Sequence, residues 1–400
     1  YADFGFFPRK DDCYWESPFT SYTYDKYSYE DACRESVLSK QTYTLCDSLT
    51  ATDASYLVEP VDGLWLLAID GGVYLPKEMK DGKWSYQGSS AGYNLVLKHK
   101  PFLLPWVRKV VEEAQKRHKT LVAFSHYPLV DFNDGVSESV RQMWGDRRFD
   151  LHRVPEAEVS EAFLQAGLCL HFAGHMHVND TGIWEGKDGK HLYNIQVPSI
   201  ATYVPAYKIL TIESDEVFRV ETVALDTVPG FDSLFPLYRA EYQSDSLRGH
   251  SPVWNKEILS ARTYGEFCDY QFRDLVRLRF IPRDLPESWR ACLDFTGAQM
   301  LEAVSGEEKS DDADWTDWCM KDLVLDLYRL RYAERLALED IPRTRLAVYR
   351  YLFDRARIST FRSAEVEMVK GLGTLFLAFL NGEPCQNFVI DLEKDTITGD

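Results

Sequence analysis

The chain lacks any apolar run long enough for a membrane-spanning helix. No stretch of its 400 residues reaches the ~18 consecutive apolar residues that such a helix needs. The best candidate, Leu372 to Leu380, has about half that length. The sequence therefore predicts no membrane span in this chain.

The chain also lacks an excess of positive charge. Lys and Arg number 45 and Asp and Glu number 63, so the formal net charge is −18. A field of that sign repels polyanions at long range, which argues against a protein that coats nucleic acid. A small phosphorylated substrate would need positive charge supplied locally.

None of the eight cysteines forms a Cys-x-x-Cys motif. Cys13, Cys33 and Cys46 lie in an aromatic N-terminal segment, where either a disulfide or free thiols are compatible with the spacing. This aromatic, cysteine-bearing segment favours a periplasmic, envelope-associated or secreted location. The sequence contains no internal repeat and no low-complexity segment, and its composition, 45% hydrophobic and 27% charged, is typical of a globular chain with more than one domain.

Short apolar runs alternate with amphipathic helical patterns in the first half of the chain. The runs are Leu64 to Ile69, Leu121 to Phe124 and Leu168 to Phe172, and the helical patterns are Pro105 to His118 and Pro155 to Ala166. Strands that alternate with helices predict an α/β layer, although periodicity leaves parallel and mixed pairing open.

The second half has a different pattern. Tyr207 to Glu213 and Val217 to Ala224 predict a hairpin that closes the sheet. The later amphipathic runs predict helices at Tyr270 to Ile281, Glu287 to Val304, Asp317 to Leu338, Arg343 to Arg357 and Ser363 to Leu380. We therefore predict two domains: residues 1–228, an α/β core with an irregular surface insertion at about 8–56, and residues 229–400, which are mostly helical.

Three of the nine histidines follow predicted strands. His126 lies in Ser125-His-Tyr-Pro128, and His175 and His177 lie in Gly174-His-Met-His177. Loops at the carboxyl ends of strands in an α/β sheet converge on one crevice, so we expect these side chains to meet. Neutral imidazoles are common ligands of Zn, Fe and Mn, and Gly174 would allow the backbone to turn.

A single histidine at a strand end is more often a hydrogen-bonded residue than a metal ligand. We interpret the remaining six histidines in this structural way: His99, His118, His152, His171, His191 and His250. The metal interpretation depends on the order of motifs, since Asn179-Asp180-Thr181 and Val197-Pro-Ser-Ile200 follow the Gly-His-x-His motif.

In this order of motifs the chain resembles the C-terminal part of the core of calcineurin-like metallophosphoesterases. The resemblance covers residues 1–7 and 56–224, and includes the strand Asp62 to Gly71. It implies a layered sheet core and a site with two divalent metal ions (Mn, Fe or Zn). By the resemblance, His126 and His175 bind one ion and His177 binds the other.

The resemblance is incomplete. The family places Asp-x-His, Gly-Asp-x-x-Asp and Gly-Asn-His motifs upstream, and the chain contains no such set before His126. Three βα units of about 30 residues would hold them, so we expect the chain to continue a longer protein whose beginning precedes Tyr1.

The sequence predicts metal-dependent hydrolysis of a phosphate ester, with a phosphorylated small molecule or phosphoprotein as substrate. Tyr127 and Asn179 are candidates for contacting it, with wall packing and turn capping as their structural alternatives. Two other interpretations stay open: a catalytically degenerate binding or scaffold protein, and a mononuclear site with three histidines.

Overall fold

The computed structural model describes residues 6–46, 49–86, 92–249, 254–309 and 311–399. The strands of this part are β1 (Tyr14–Glu16), β2 (Thr42–Cys46), β3 (Leu49–Thr52), β4 (Tyr56–Val61), β5 (Leu64–Ile69), β6 (Pro76–Lys80), β7 (Lys83–Tyr86), β8 (Thr120–Ser125), β9 (Leu170–Ala173), β10 (Asp180–Glu185), β11 (His191–Gln196), β12 (Ala206–Ile212), β13 (Val217–Ala224), β14 (Asn387–Asp391) and β15 (Thr396–Gly399).

The α-helices of the same part alternate with these strands at first and then follow one another. They are α1 (Tyr29–Glu35), α2 (Val96–His99), α3 (Leu103–Lys116), α4 (Ser137–Trp144), α5 (Ala157–Gln165), α6 (Phe235–Leu247), α7 (Tyr264–Leu275), α8 (Ile281–Asp284), α9 (Glu287–Arg290), α10 (Gly297–Ser305), α11 (Ala313–Thr316), α12 (Met320–Ala333), α13 (Arg343–Ile358) and α14 (Ala364–Leu380). Within the described ranges, none of the helices combines the length and apolar character that a membrane crossing requires, as the sequence predicted.

Seven strands form the main sheet, in the order β1-β4-β5-β8-β9-β11-β10. Strands β5, β8, β9 and β11 are parallel neighbours, whereas β1, β4 and β10 pair antiparallel at the two sides. The pairing that periodicity left open is therefore mixed. The predicted α/β character is confirmed.

Strand β5 shows why the main sheet is covered on both faces. Trp65 and Leu67 pack in a core with the apolar side of α3 and with α5, while Leu64 and Leu66 contact a different core on the other face. Successive side chains of a strand point to opposite faces, so an uninterrupted apolar run requires two partners. The two helices cover one face of the sheet.

A four-stranded antiparallel sheet covers the other face. Its order is β12-β13-β14-β15, and Phe218, Val220, Phe388 and Ile390 contact main-sheet residues such as Ile195. The predicted hairpin corresponds to β12 and β13, which are paired along their length. Helices, a mixed sheet and a second sheet form three successive layers.

The last two strands of the chain join the sheet that β12 and β13 form. Residues 229–400 were expected to be mostly helical, yet β14 and β15 come from the end of that segment and extend the sheet begun by β12 and β13. The helices therefore lie in sequence between two parts of one sheet. The largest apolar core joins helix residues such as Tyr328 to Phe149 and Met176 of the first half, so the helices pack on the core rather than apart from it.

The segment 8–56 is also more regular than predicted. Strand β1 pairs with β4 at one side of the main sheet, and Trp15 is 0% exposed. Strands β2 and β3 form a separate hairpin. The prediction of an irregular surface insertion is wrong at β1, because the aromatic side chains of that strand supply part of the core.

Two further expectations concern the N-terminal region. Cys13, Cys33 and Cys46 are all exposed free thiols, so the structure contains none of the disulfides that their spacing allowed. Of the resembling residues 1–7, only Phe6 and Phe7 are among the described residues. Phe6 is buried against Tyr56.

Candidate functional site

The site begins where two parallel strands end side by side. Ser125 of β8 is in register with Ala173 of β9, so His126 and Gly174 are the next residues on adjacent strands. The backbone N–H of Gly174 donates to the carbonyl oxygen of His126 over 3.2 Å. This hydrogen bond extends the pairing of β8 with β9 by one residue and joins the two loops that follow these strands.

The structure brings His126 and His175 into direct contact. The Nδ1 atom of His175 and the Nε2 atom of His126 are 2.8 Å apart, and the ring centroids are 4.7 Å apart. At this distance one imidazole donates an N–H to the other, since a neutral ring has one donor nitrogen and one acceptor nitrogen. The two ring nitrogens thus face each other at the edge of the sheet.

His177 lies on the same loop and is exposed. The backbones of His175 and His177 have φ values of 63° and 58°, in the left-handed region, while Met176 between them is buried. We expected Gly174 to provide the turn. The two histidines provide it instead, with a conformation that few residues other than glycine adopt and that is often found at functional sites.

Burial and neighbouring charges favour the neutral form of the histidines. The pKa of His126 is lowered by burial and by the positive charge that His177 can carry. Burial and the guanidinium of Arg153 lower the pKa of His177. The neutral imidazole is the form that can bind a metal ion, and both shifts favour that form at lower pH.

Tyr127 forms a wall behind the pair. Its ring centroid lies 4.9 Å from that of His126 and 4.7 Å from that of His175, and the residue is 5% exposed. Its hydroxyl lies 2.8 Å from that of Tyr74, and burial raises its pKa. These contacts fit the wall-packing alternative better than a direct contact with substrate.

Asn179 does not lie at the mouth of the crevice. It is fully buried, its Oδ1 atom accepts from Lys208 Nζ over 2.7 Å, and its Nδ2 donates to the sulfur of Cys385. Its backbone N–H donates to Tyr332 in the helical region. Neither a substrate contact nor turn capping describes Asn179, because its polar atoms connect β10 to other parts of the protein.

Two charged residues near the site were missed by the sequence reasoning. Asp70 directly follows β5, whose last residue, Ile69, is in register with Ser125, so Asp70 lies at the same edge as His126. Its carboxylate accepts from the backbone of Ala54 and lies 3.4 Å from Lys100 Nζ. The sequence contained a signal for Asp70, because this residue directly follows β5 just as His126 directly follows β8.

Arg153 is the second of these residues, and no motif distinguished it in the sequence. After burial, its positive charge is the second cause of the lowered pKa of His177. The buried Nε atom of Arg153 has no hydrogen-bond partner within the described part of the chain. The guanidinium of Arg153 also lies 3.8 Å from the carboxylate of Asp150, so part of its charge is already balanced.

The histidines interpreted as structural have different surroundings. His171 is fully buried between Asn194 Oδ1 (2.8 Å) and Ser125 Oγ (3.0 Å). His99 contacts the carbonyl oxygen of Leu45, and His191 pairs with Asp395. His250 lies outside the described residues.

Comparison of the sequence with protein-family models and with curated proteins gave no match in either case. The functional argument for this chain therefore depends on its own residues and geometry.

Proposed function

We propose that this chain carries part of the active site of a metal-dependent phosphoester hydrolase. The proposal depends on one observation, the direct contact of His126 and His175 at the ends of two adjacent parallel strands. The charge that His177 can carry lowers the pKa of His126, and the charge of Arg153 lowers the pKa of His177.

The donor set fits a transition metal. Imidazole nitrogens suit Zn, Fe and Mn, and the histidines stand partly open to solvent, where a substrate has access. His126 and His175 would hold one ion and His177 a second. When bound, the ions polarise a phosphoryl oxygen and lower the pKa of a coordinated water.

The residues of this chain have separate roles in this proposal. Neutral His126, His175 and His177 present nitrogen lone pairs, and Tyr127 restricts the two rings that it contacts. Arg153 binds phosphate oxygens, since its guanidinium offers several donors and a permanent positive charge. Its position next to His177 offsets the chain's charge of −18 locally.

The test uses the whole protein, because the resembling family takes further ligands from motifs that are not found before His126 in this sequence. We would assay an aryl phosphate and an aryl phosphodiester with Mn²⁺ or Zn²⁺ added. The wild type should hydrolyse at least one ester and lose that activity to a chelator. His175→Ala should lower kcat strongly, because it removes a ligand of the ion that activates the water.

Two variants sharpen this assay. Arg153→Gln should raise KM for the ester more than it lowers metal affinity, since it removes an anion contact and no ligand. His118→Ala, which changes an exposed histidine just after α3, is the matched control and should leave kcat unchanged. Wild type that binds metal but cleaves neither ester would favour the scaffold interpretation, and activity unaffected by His175→Ala would refute the site.

A further inference from the structure

A second cluster of titratable groups contains none of the histidines. Asp134 follows β8 in the loop before α4, Asp180 is the first residue of β10, and Glu334 follows α12. One carboxylate oxygen from each residue lies within 4.8 Å of the others. Three distant parts of the chain therefore place like charges together.

Asp180 and Glu334 are buried, and three of their four carboxylate oxygens have no hydrogen-bond partner in the described part of the chain. Asp180 is 3% exposed and Glu334 is 2% exposed. Both Oδ atoms of Asp180 and the Oε1 atom of Glu334 have no hydrogen-bond partner among the described residues. Burial of an unpaired carboxylate is costly, so the arrangement requires either protons or a cation.

The ammonium of Lys208 does not donate a hydrogen bond to these oxygens. Lys208 is close enough to interact electrostatically with Asp180, but its ammonium donates to three neutral acceptors, which are Asn179 Oδ1, Thr222 Oγ1 and the Cys385 carbonyl. The nearby carboxylate of Asp131 accepts from Ser137. One divalent cation together with the charge of Lys208 would balance three ionised carboxylates.

We propose that Asp134, Asp180 and Glu334 bind one hard divalent cation of the Ca²⁺ or Mg²⁺ type. All three ligands are oxygens, which these cations prefer. Oxygens around Ca²⁺ lie at about 2.3–2.6 Å from the ion, so opposite ligands are about 5 Å apart. The spacing of the three oxygens is within that size.

The position of the cluster gives the cation a structural role. It would tie the loop after β8 and the start of β10 to the segment that follows α12, and so fasten the helices to the sheet. Gly382, in the connection from α14 to β14, closes over the cluster: a Cβ there would lie 2.7 Å from Asp134 Oδ1. The cluster shares no residue with the histidine site, and its proposal does not depend on the proposed hydrolase.

Protonation of the three carboxyl groups, without a bound cation, is the alternative explanation for their burial together. Burial raises the pKa of all three carboxyl groups, neighbouring carboxylates such as Asp131 raise the pKa of Asp134 and Asp180 further, and Asp180 and Glu334 are close enough for one proton to bridge them. Without a cation the three groups would therefore hold protons. The two explanations differ in their response to added Ca²⁺. Histidine-rich sites bind Ca²⁺ poorly, so this ion reports on the oxygen cluster alone.

The experiment treats the whole chain with EDTA, removes the chelator, and titrates CaCl₂ and MgCl₂ by calorimetry and thermal unfolding. We expect one Ca²⁺ or Mg²⁺ per chain and a rise in Tm with the cation. Asp180→Asn and Glu334→Gln should each weaken binding at least tenfold and remove the rise in Tm.

Asp326→Asn is the matched control. Asp326 is also a buried carboxylate, but Arg329 and Arg345 pair with it, so its loss should lower Tm and leave cation binding intact. If a variant does not fold, the cation titration of the wild type decides between a bound cation and shared protons. Wild type that binds neither ion at millimolar concentration, with a Tm unchanged by EDTA, would overturn the proposal and favour shared protons.

Discussion

The Nδ1 atom of His175 lies 2.8 Å from the Nε2 atom of His126, although 49 residues separate them in sequence. The contact arises because β8 and β9 are parallel neighbours that end in register, and each histidine is at most two residues beyond its strand. Parallel pairing of β8 and β9 thus brings two histidines that are far apart in sequence to the same edge of the sheet.

Replacing His126 with Ala should weaken binding of Zn²⁺ or Mn²⁺. The change removes one nitrogen of the pair, and loss of even an outer-shell partner lowers metal affinity about 10–100-fold, so we expect a loss of at least tenfold. Competition with a chelating dye measures it. His118→Ala should bind as the wild type does, and equal affinity for all three proteins would show that the pair is not a metal site.

Replacing Trp15 with Ala tests whether β1 belongs to the core. Trp15 is 0% exposed, so we expect the free energy of unfolding to fall by about 3–5 kcal/mol. Trp84→Ala is the matched control, because Trp84 of β7 is 37% exposed and should cost much less. Urea denaturation measures both. Similar small losses for both variants would restore the prediction of a surface insertion.

His171 should make the protein less stable in acid. Burial lowers its pKa to about 4, below the value of about 6.5 in an unfolded chain. Between pH 6.5 and 4 the unfolded state therefore takes up a proton that the folded state does not, and stability falls by up to about 3 kcal/mol. Above pH 6.5 this effect is absent, and below pH 4 it no longer grows.

The measurement is the free energy of unfolding of wild type and His171→Gln from pH 7.5 to 4. The variant should be less stable at neutral pH, because it disturbs the contacts with Asn194 and Ser125, but it should lose less stability as the pH falls. Parallel curves for the two proteins would contradict a buried neutral His171.

The buried ion pair of Lys100 and Asp53 should stabilise the fold only while both partners are present. Their charged atoms are 2.7 Å apart and both side chains are 0% exposed. Lys100→Met leaves Asp53 buried and uncompensated, which should cost about 3–5 kcal/mol. The double variant with Asp53→Asn should recover part of that loss in thermal or urea unfolding. A double variant whose loss equals the sum of the single losses would show that the two groups are not coupled.

The sequence by itself determined the local elements near the site. Apolar runs identified β5, β8 and β9, the amphipathic patterns identified α3 and α5, and the polar residues after each run marked the positions of His126 and His175. These features depend on a few neighbouring residues and on the period of each element, so they can be predicted without the fold.

Only the tertiary structure decided the rest. It placed β14 and β15 in the sheet of β12 and β13, inserted β1 at the side of the main sheet, and buried Asn179 against Lys208. It also gathered Asp134, Asp180 and Glu334 into one buried cluster. Each of these depends on contacts between residues far apart in the chain, and no local periodicity or spacing records which distant partner a side chain will meet.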